Sequence, residues 1–289
     1  SVWWSLKQAW EKKLLYKGHK VVPYCPRCGT ALSAHEISQG YKTVEDPSIF
    51  VKFKLKNEDA YFLAWTTTPW TLISNVALAV HPDETYIKIC YKEQIVILAE
   101  QRAAILLKGQ EYEILDGFPG KKLEGIHYEP LFDYAHVDKK AWYVVLADFV
   151  TMADGTGIVH IAPAFGEDDY TVGKKYDLPV VQLVKLDGTF PEEVELWKGR
   201  FVKEADPSII DNLQKRGLLE GVHEYKHEYP FCWRCESPLL YYAMESWFIA
   251  MTKVQESLVR NNNQINWYPE HLQQGRFGDF IREVKDWAL

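Results

Sequence analysis

Three groups of residues have the types and spacing to do chemistry. The first is Trp65-Thr66-Thr67-Thr68-Pro69-Trp70-Thr71-Leu72-Ile73-Ser74-Asn75, where four threonines and an asparagine crowd a turn flanked by two tryptophans. Small polar groups in an apolar wall are the composition of a ligand pocket. The plainer alternative is a strand end with β-branched residues and a Thr helix cap. The second group is Asp154-Gly155-Thr156-Gly157-Ile158-Val159-His160-Ile161-Ala162-Pro163-Ala164-Phe165-Gly166-Glu167-Asp168-Asp169-Tyr170. Here a histidine and a carboxylate lie on either side of one strand-to-helix turn and can converge on a single pocket. The plainer alternative is a satisfied core histidine followed by helix-capping acids. The third group is two Cys-x-x-Cys pairs, Cys25/Cys28 and Cys232/Cys235. Four thiolates would close a tetrahedral metal site with no position left for water, so the metal is read as structural, ahead of a catalytic metal or a redox pair. No Gly-x-Ser-x-Gly elbow, phosphate loop or His-Glu-x-x-His motif occurs, so covalent serine catalysis and zinc hydrolysis lack support.

The elements that must position these groups follow from local pattern. Ala60 to Ala64 is a β-type run that delivers the threonines, and Pro69 stops it because proline cannot donate to a ladder and disfavours helix at Thr68. Gly155 and Gly157 permit a tight turn into a short strand that ends at Pro163, with His160 on the face opposite Val159 and Ile161. Glu167, Asp168 and Asp169 then open a helix, where carboxylates suit the positive end of the dipole. Further strands are expected at Ile49–Leu55, Tyr86–Ile89, Gln94–Ala99, Trp142–Leu146 and Val180–Val184. Cys90 sits in the apolar alternation from Tyr86 to Tyr91 and reads as a core or strand residue. Helices are expected at residues 1–17, Gln101–Leu107, Asp168–Tyr176, Pro207–Arg216 and Gln273–Trp287, with Leu239–Trp247 as strand or loop and Thr252–Asn261 then as helix. Many strands and few helices suggest a β-barrel-like α+β core.

The 204 positions from Cys28 to Cys232 are too many for a compact zinc finger and suit a ribbon whose halves are separated by an inserted domain. The 289 residues are 47% hydrophobic and 14% aromatic, enough for a sizeable core. Lys plus Arg number 33 against 40 Asp plus Glu, and the net charge of −7 argues against broad non-specific nucleic-acid binding while leaving room for a local contact. No apolar run is long enough to span a bilayer, and Ser1-Val2-Trp3-Trp4 leads into an amphipathic helix, so neither membrane nor signal peptide is expected. Paired rather than scattered cysteines suggest a reducing compartment.

Taken together and in this order, Cys25-Pro26-Arg27-Cys28, the stretch Trp65 to Leu72, Gly155 to Pro163 with Asp169, and Cys232-Trp233-Arg234-Cys235 resemble the isoleucyl-tRNA synthetases, class I aminoacyl-tRNA synthetases. The resemblance covers essentially the whole chain and corresponds to the editing insertion, connective polypeptide 1, with its zinc-bearing base. It implies a β-barrel-like editing domain (44–220) inserted into a zinc-ribbon stem (1–43 and 221–241), with a C-terminal connection (242–289) toward a catalytic domain. Related valyl and leucyl enzymes look like Thr-Thr-Arg-Pro where this chain has Thr68-Pro69-Trp70. The His-Ile-Gly-His and Lys-Met-Ser-Lys-Ser signatures of the synthetic site are absent, and the chain stops at Asp286-Trp287-Ala288-Leu289, where that family continues. An excised piece that does not activate isoleucine by itself is therefore expected, with ATP and Mg belonging only to the full-length enzyme.

The implied activity is hydrolysis of valine misattached to isoleucine tRNA, with valyl-adenylate as a further candidate substrate. On this resemblance Asp169 matches the carboxylate that holds the α-ammonium of the misattached amino acid. His160 matches the residue beside the terminal adenosine and the valine side chain. Thr66, Thr67 and Thr68 match hydroxyls that hold the attacking water and the ribose, Asn75 a further polar position, and Trp70 and Gly157 the substrate-binding wall. Cys25, Cys28, Cys232 and Cys235 match the ligands of a structural zinc. A cytoplasmic monomer acting on the 3′ end of isoleucine tRNA is the expected setting. The rival readings are an editing domain of valyl or leucyl type, and a non-catalytic zinc-ribbon docking module.

Overall fold

Nine strands join one mixed sheet in the computed structural model, which describes residues 1–289. Its order is Glu113–Pro119, Thr85–Tyr91, Gln94–Ala99, Tyr61–Thr66, Ile158–Ile161, Ala77–Val80, Tyr143–Leu146. Strand Tyr61–Thr66 is the branch point. One of its edges pairs antiparallel along its whole length with Tyr41–Lys54. The other is divided, with Tyr61 and Phe62 beside Gln94–Ala99 and Trp65 beside Val159. A strand paired on both edges lies inside the sheet, where its middle residues are shielded from water. Phe62, Leu63 and Ala64 are accordingly buried, as is every residue of Ala77–Val80. The sheet curls, and its two terminal strands do not pair with each other, so the barrel-like α+β core expected from the sequence is an open half-barrel.

Residues 21–243 form one compact unit, which holds this sheet and both cysteine pairs. A long antiparallel ribbon, Tyr41–Lys54 against Leu219–Pro230, runs in register from Tyr41 opposite Pro230 to Phe50 opposite Gly221, then shifts by one residue so that Val51 faces Leu219. At its end the Phe231 N–H donates to the Gly40 carbonyl at 2.8 Å. Only glycine fits at position 40, because an added Cβ would lie 2.0 Å from the Phe231 carbonyl oxygen. Helix Val202–Lys215 packs against the Pro69–Ser74 turn and against strand Leu219–Pro230, burying Val202, Ala205, Ile209 and Leu213.

Residues 1–20 with 244–289 form the other unit. It contains helix Val2–Glu11 and the short helices Gln255–Asn262, His271–Gln274 and Arg276–Arg282. Buried Asn262 ties it together, donating to the Gln273 carbonyl at 2.7 Å and accepting from the Trp267 indole at 2.8 Å. No helix of the chain is long and apolar enough to cross a membrane.

Several expectations are corrected. The first helix ends at Glu11 rather than near residue 17, because Lys13 turns into the left-handed region (φ 54°) and Leu15–Cys25 is a strand. The final helix is broken at Gly275, whose ψ of −126° is outside the helical range and separates His271–Gln274 from Arg276–Arg282, and Trp287–Ala288 pairs as strand with Phe248 and Ile249. Val180–Val184 is no strand: Val181 and Val184 are buried, but no neighbouring chain supplies a ladder. The helix placed at Pro207 begins at Val202, with the proline inside it.

Candidate active site

Strand Tyr61–Thr66 hands its chain to a tight 3₁₀ helix, Pro69–Ser74, with Pro69 at its first position. In a 3₁₀ helix residues three apart eclipse one another, which stacks Thr71 over Thr68. The Thr71 hydroxyl donates to the Thr68 carbonyl at 2.8 Å, and the Thr68 and Thr71 hydroxyl oxygens lie 3.0 Å apart. Thr66 Oγ1 lies 3.2 Å from Thr68 Oγ1 and accepts the Thr68 N–H at 3.1 Å. Thr66 and Thr71 are buried while Thr67 and Thr68 are half-exposed. Three hydroxyls thus form a line that is buried at both ends and half-exposed at Thr68, and Thr67 lies outside that line.

The second chemical stretch meets the first because strand Ile158–Ile161 lies parallel to Tyr61–Thr66, with Val159 opposite Trp65. This register brings His160 Nε2 within 3.0 Å of Thr71 Oγ1. Thr71 has already given its proton to the Thr68 carbonyl, so Nε2–H is assigned as the donor and Nδ1 as the bare acceptor. Nδ1 is buried and has no hydrogen-bond partner. Burial holds the imidazole neutral, lowering its pKa to about 4.

Asp169 lies in the first turn of helix Glu167–Lys175 and reaches back to accept the Ala162 N–H at 2.8 Å. Gly166 makes room for it, since a Cβ there would stand 2.8 Å from the carboxyl carbon. Although Asp169 retains some surface, its carboxyl group is largely desolvated; this raises its pKa to about 7, with Asp168 adding repulsion and the Ala162 N–H opposing. The carboxyl is thereby anchored one residue beyond the end of the strand that carries His160.

The other residues singled out from the sequence have different surroundings. Asn75 is buried, with its amide donating to the Ala77 carbonyl at 2.8 Å and its oxygen accepting the Tyr128 hydroxyl at 2.7 Å. Trp70 is buried edge-to-face on Phe165 at 5.0 Å, and its indole N–H has no partner. Gly157 adopts φ 76°, its carbonyl accepts the Tyr86 hydroxyl at 2.6 Å, and a side chain there would collide with Ala99. The structure also brings in residues to which the sequence reading gave no role. Thr71 joins the threonines to His160; its spacing from Thr68 was the available signal. Asp206 Oδ1 accepts the Trp70 N–H at 2.9 Å from 136 positions away, a contact with no local signal. Buried Arg102 donates to the carbonyls of Gly155, Met152 and Ala153, fixing the turn that leads to His160. A cleft of about 590 Å³ opens elsewhere, between Tyr134–Lys139 and Leu178–Leu183.

The four paired cysteines do converge. All four Sγ atoms lie within 4.8 Å of one another, as ligands of one metal must. Each pair sits in a knuckle closed by a left-handed residue after its second cysteine. Gly29 (φ 66°) donates to the Cys25 carbonyl at 2.9 Å, and Glu236 (φ 58°) donates to that of Cys232 at 2.8 Å. Leu32, Ile37 and Leu239 pack around the sulfurs. Cys90 lies in strand Thr85–Tyr91, apart from this cluster.

Known proteins resemble this chain along its whole length. The family described as tRNA synthetases class I (I, L, M and V) matches residues 1–289. The isoleucine--tRNA ligase of Clostridium acetobutylicum is 56% identical over 290 residues, covering 100% of this chain and 28% of that protein. That of Thermus thermophilus is 48% identical over 295 residues, again with 100% of this chain and 28% of that protein covered. The chain therefore spans just over a quarter of the length of these relatives. Among solved structures, the crystal structure of GlLeuRS-CP1 aligns with a TM-score of 0.49 at 17% identity, covering 62% of this chain and 99% of that one.

Proposed function

The chain belongs to the class I tRNA synthetases of the isoleucine, leucine, methionine and valine group, and from that premise we propose that it is the editing domain of an isoleucine-type enzyme. Its reaction is hydrolysis of the ester that joins valine to isoleucine tRNA, with valyl-adenylate as a further candidate substrate. The need is physical. A synthetic pocket can reject an amino acid smaller by one methylene by only about 1–3 kcal/mol, and isoleucine against valine is itself the standard instance of that limit. A second site that admits valine and excludes isoleucine supplies the missing discrimination, because bulk is rejected steeply in a well-packed wall.

The observation that carries this reading is the hydrogen-bonded line Thr66–Thr68–Thr71–His160 with Asp169 anchored at the end of the same strand. In the proposed reaction Asp169, ionised, holds the α-ammonium of the amino acid by a charge-assisted hydrogen bond and so fixes the ester carbonyl. The threonine hydroxyls orient water and the terminal ribose. Water adds to the carbonyl carbon, the bond to the ribose oxygen breaks, and that oxygen takes the proton, releasing valine and free tRNA. An aminoacyl ester is already activated, so orientation and polar support suffice without a protein nucleophile. His160, neutral down to a pKa of about 4, is a weak base and serves as a rigid wall and orienting group. The four thiolates fit a structural zinc, which would hold the two knuckles together away from this chemistry. ATP and Mg would serve only the remainder of the full-length enzyme, and a cytoplasmic monomer is the setting that suits the reading.

The test is deacylation of valyl- and isoleucyl-tRNA, both on isoleucine tRNA, by the chain and by Asp169→Ala. Selective release of valine that the substitution abolishes supports the reading. Preferential cleavage of a mischarged valine or leucine tRNA would assign the chain to another branch of the family.

A further inference from the structure

We propose that Asp206 is a positioning residue of this site: it caps the Pro69–Ser74 helix from a remote helix and so leaves the Thr68 hydroxyl free to join the line to His160. The first N–H groups of a helix have no partner within it, and a Ser, Thr, Asp or Asn at the N-cap usually supplies one from its own side chain. Thr68 stands at the N-cap and is of the right type, yet its side chain makes no capping hydrogen bond. Its oxygen is engaged with Thr66 Oγ1 and Thr71 Oγ1 instead. Pro69 has no N–H, so Trp70 carries the first donor, and Asp206 Oδ1 takes it at 2.9 Å. Both residues are buried, Trp70 to 3% and Asp206 to 5% exposure, so no solvent stands ready to replace the carboxyl oxygen.

Asp206 is itself well held. It lies within helix Val202–Lys215, whose Lys203 pairs with Asp46 of the ribbon at 2.9 Å. The cap therefore sits on a packed element, while the residue it relieves sits on the turn. A Thr hydroxyl with a vacant backbone donor nearby competes for it. With Asp206 truncated, the Thr68 side chain is expected to rotate onto the Trp70 N–H, leaving Thr71 and breaking the line. The function of the line rests on the hydrolytic reading above; the geometry of the cap does not.

The experiment uses the whole chain with Asp206→Ala, Asp206→Asn, Thr68→Ala and the double variant Asp206→Ala/Thr68→Ala. Two readouts are taken: the side-chain ¹⁵N shifts of His160, and the rate of valyl-tRNA deacylation. Asp206→Ala is expected to move the His160 shifts in the same sense as Thr68→Ala and to slow hydrolysis about 10- to 100-fold, the usual cost of removing a group that orients a functional one. Asp206→Asn keeps the accepting oxygen and should retain both the shifts and the rate. Once Thr68 is alanine, removing Asp206 should add less than about a threefold further loss, because the two act through one hydroxyl. Should Asp206→Ala not fold, Asp206→Ser, whose oxygen cannot reach as far, takes its place beside Asp206→Asn. Wild-type His160 shifts in a folded Asp206→Ala, or losses that multiply in the double variant, overturn the proposal. If the unmodified chain hydrolyses nothing, the functional reading fails, while the His160 shifts still decide the role of Asp206.

Discussion

Replacing Asp206 by asparagine should change how stability depends on pH, with a sign opposite to that of an ordinary surface carboxylate. Burial raises the Asp206 pKa to about 8, with the Trp70 N–H and Lys203 opposing and Asp46 adding repulsion. The folded state thus holds a proton that the unfolded chain releases near its ordinary pKa of 3.8. Stability from this group is fully present below that value and is lost as pH rises toward about 8. At pH 7 the loss is about 4 kcal/mol as an order of magnitude, about 1.4 kcal/mol for each of the units between the unfolded pKa of 3.8 and the solution pH. Asparagine keeps the oxygen that accepts the Trp70 N–H and cannot ionise. Urea unfolding at several pH values between about 4 and 8 should show the variant close to wild type at the acid end. Near neutrality it should be more stable, by about 1 M or more in midpoint at an unchanged slope. Parallel stability curves for the two proteins, or a variant that is weaker at every pH, would refute the argument.

His160 should act in the opposite direction. Its pKa is lowered to about 4, so stability falls as pH drops below the ordinary value of 6.5, by about 3 kcal/mol in all, and His160→Gln should flatten that loss in the same urea titration. Arg102→Met strips the donor from the carbonyls of Met152, Ala153 and Gly155 and should cost about 3 kcal/mol, measured by thermal unfolding, with slower hydrolysis in whatever remains folded. Cys232→Ser should abolish one equivalent of bound zinc in metal analysis and loosen the knuckles; retention of full stoichiometry would show that the four sulfurs do not share one ion.

The sequence makes the site's parts legible where local chemistry dictates structure. Thr68-Pro69 ends a strand because proline cannot continue the ladder, and Gln94–Ala99 is a short apolar, β-branched run whose observed bounds are those expected. The two Cys-x-x-Cys pairs announce their convergence because thiolates at that spacing have little other reason to recur. Local pattern fails where tertiary partners decide. Leu14 continues the apolar stripe of the first helix, yet the chain reverses at Lys13 and the following residues find a strand partner. Val180–Val184 has strand composition but no neighbour to pair with. Asn75 reads as a pocket residue by type, whereas Tyr128 and Ala77 occupy both ends of its amide. Asp206 was invisible because nothing between positions 70 and 206 links a carboxylate in one helix to a backbone donor in another.

The most direct measurement of the central claim is the rate at which the chain releases valine and isoleucine from isoleucine tRNA, followed across pH 6 to 8 beside Asp169→Ala. The account predicts selective release of valine, an apparent KM that falls as pH rises through about 7 and Asp169 ionises to meet the ammonium, and loss of that selectivity in the variant. Equal cleavage of both esters by the unmodified chain, or selectivity that survives without the Asp169 carboxylate, would contradict it.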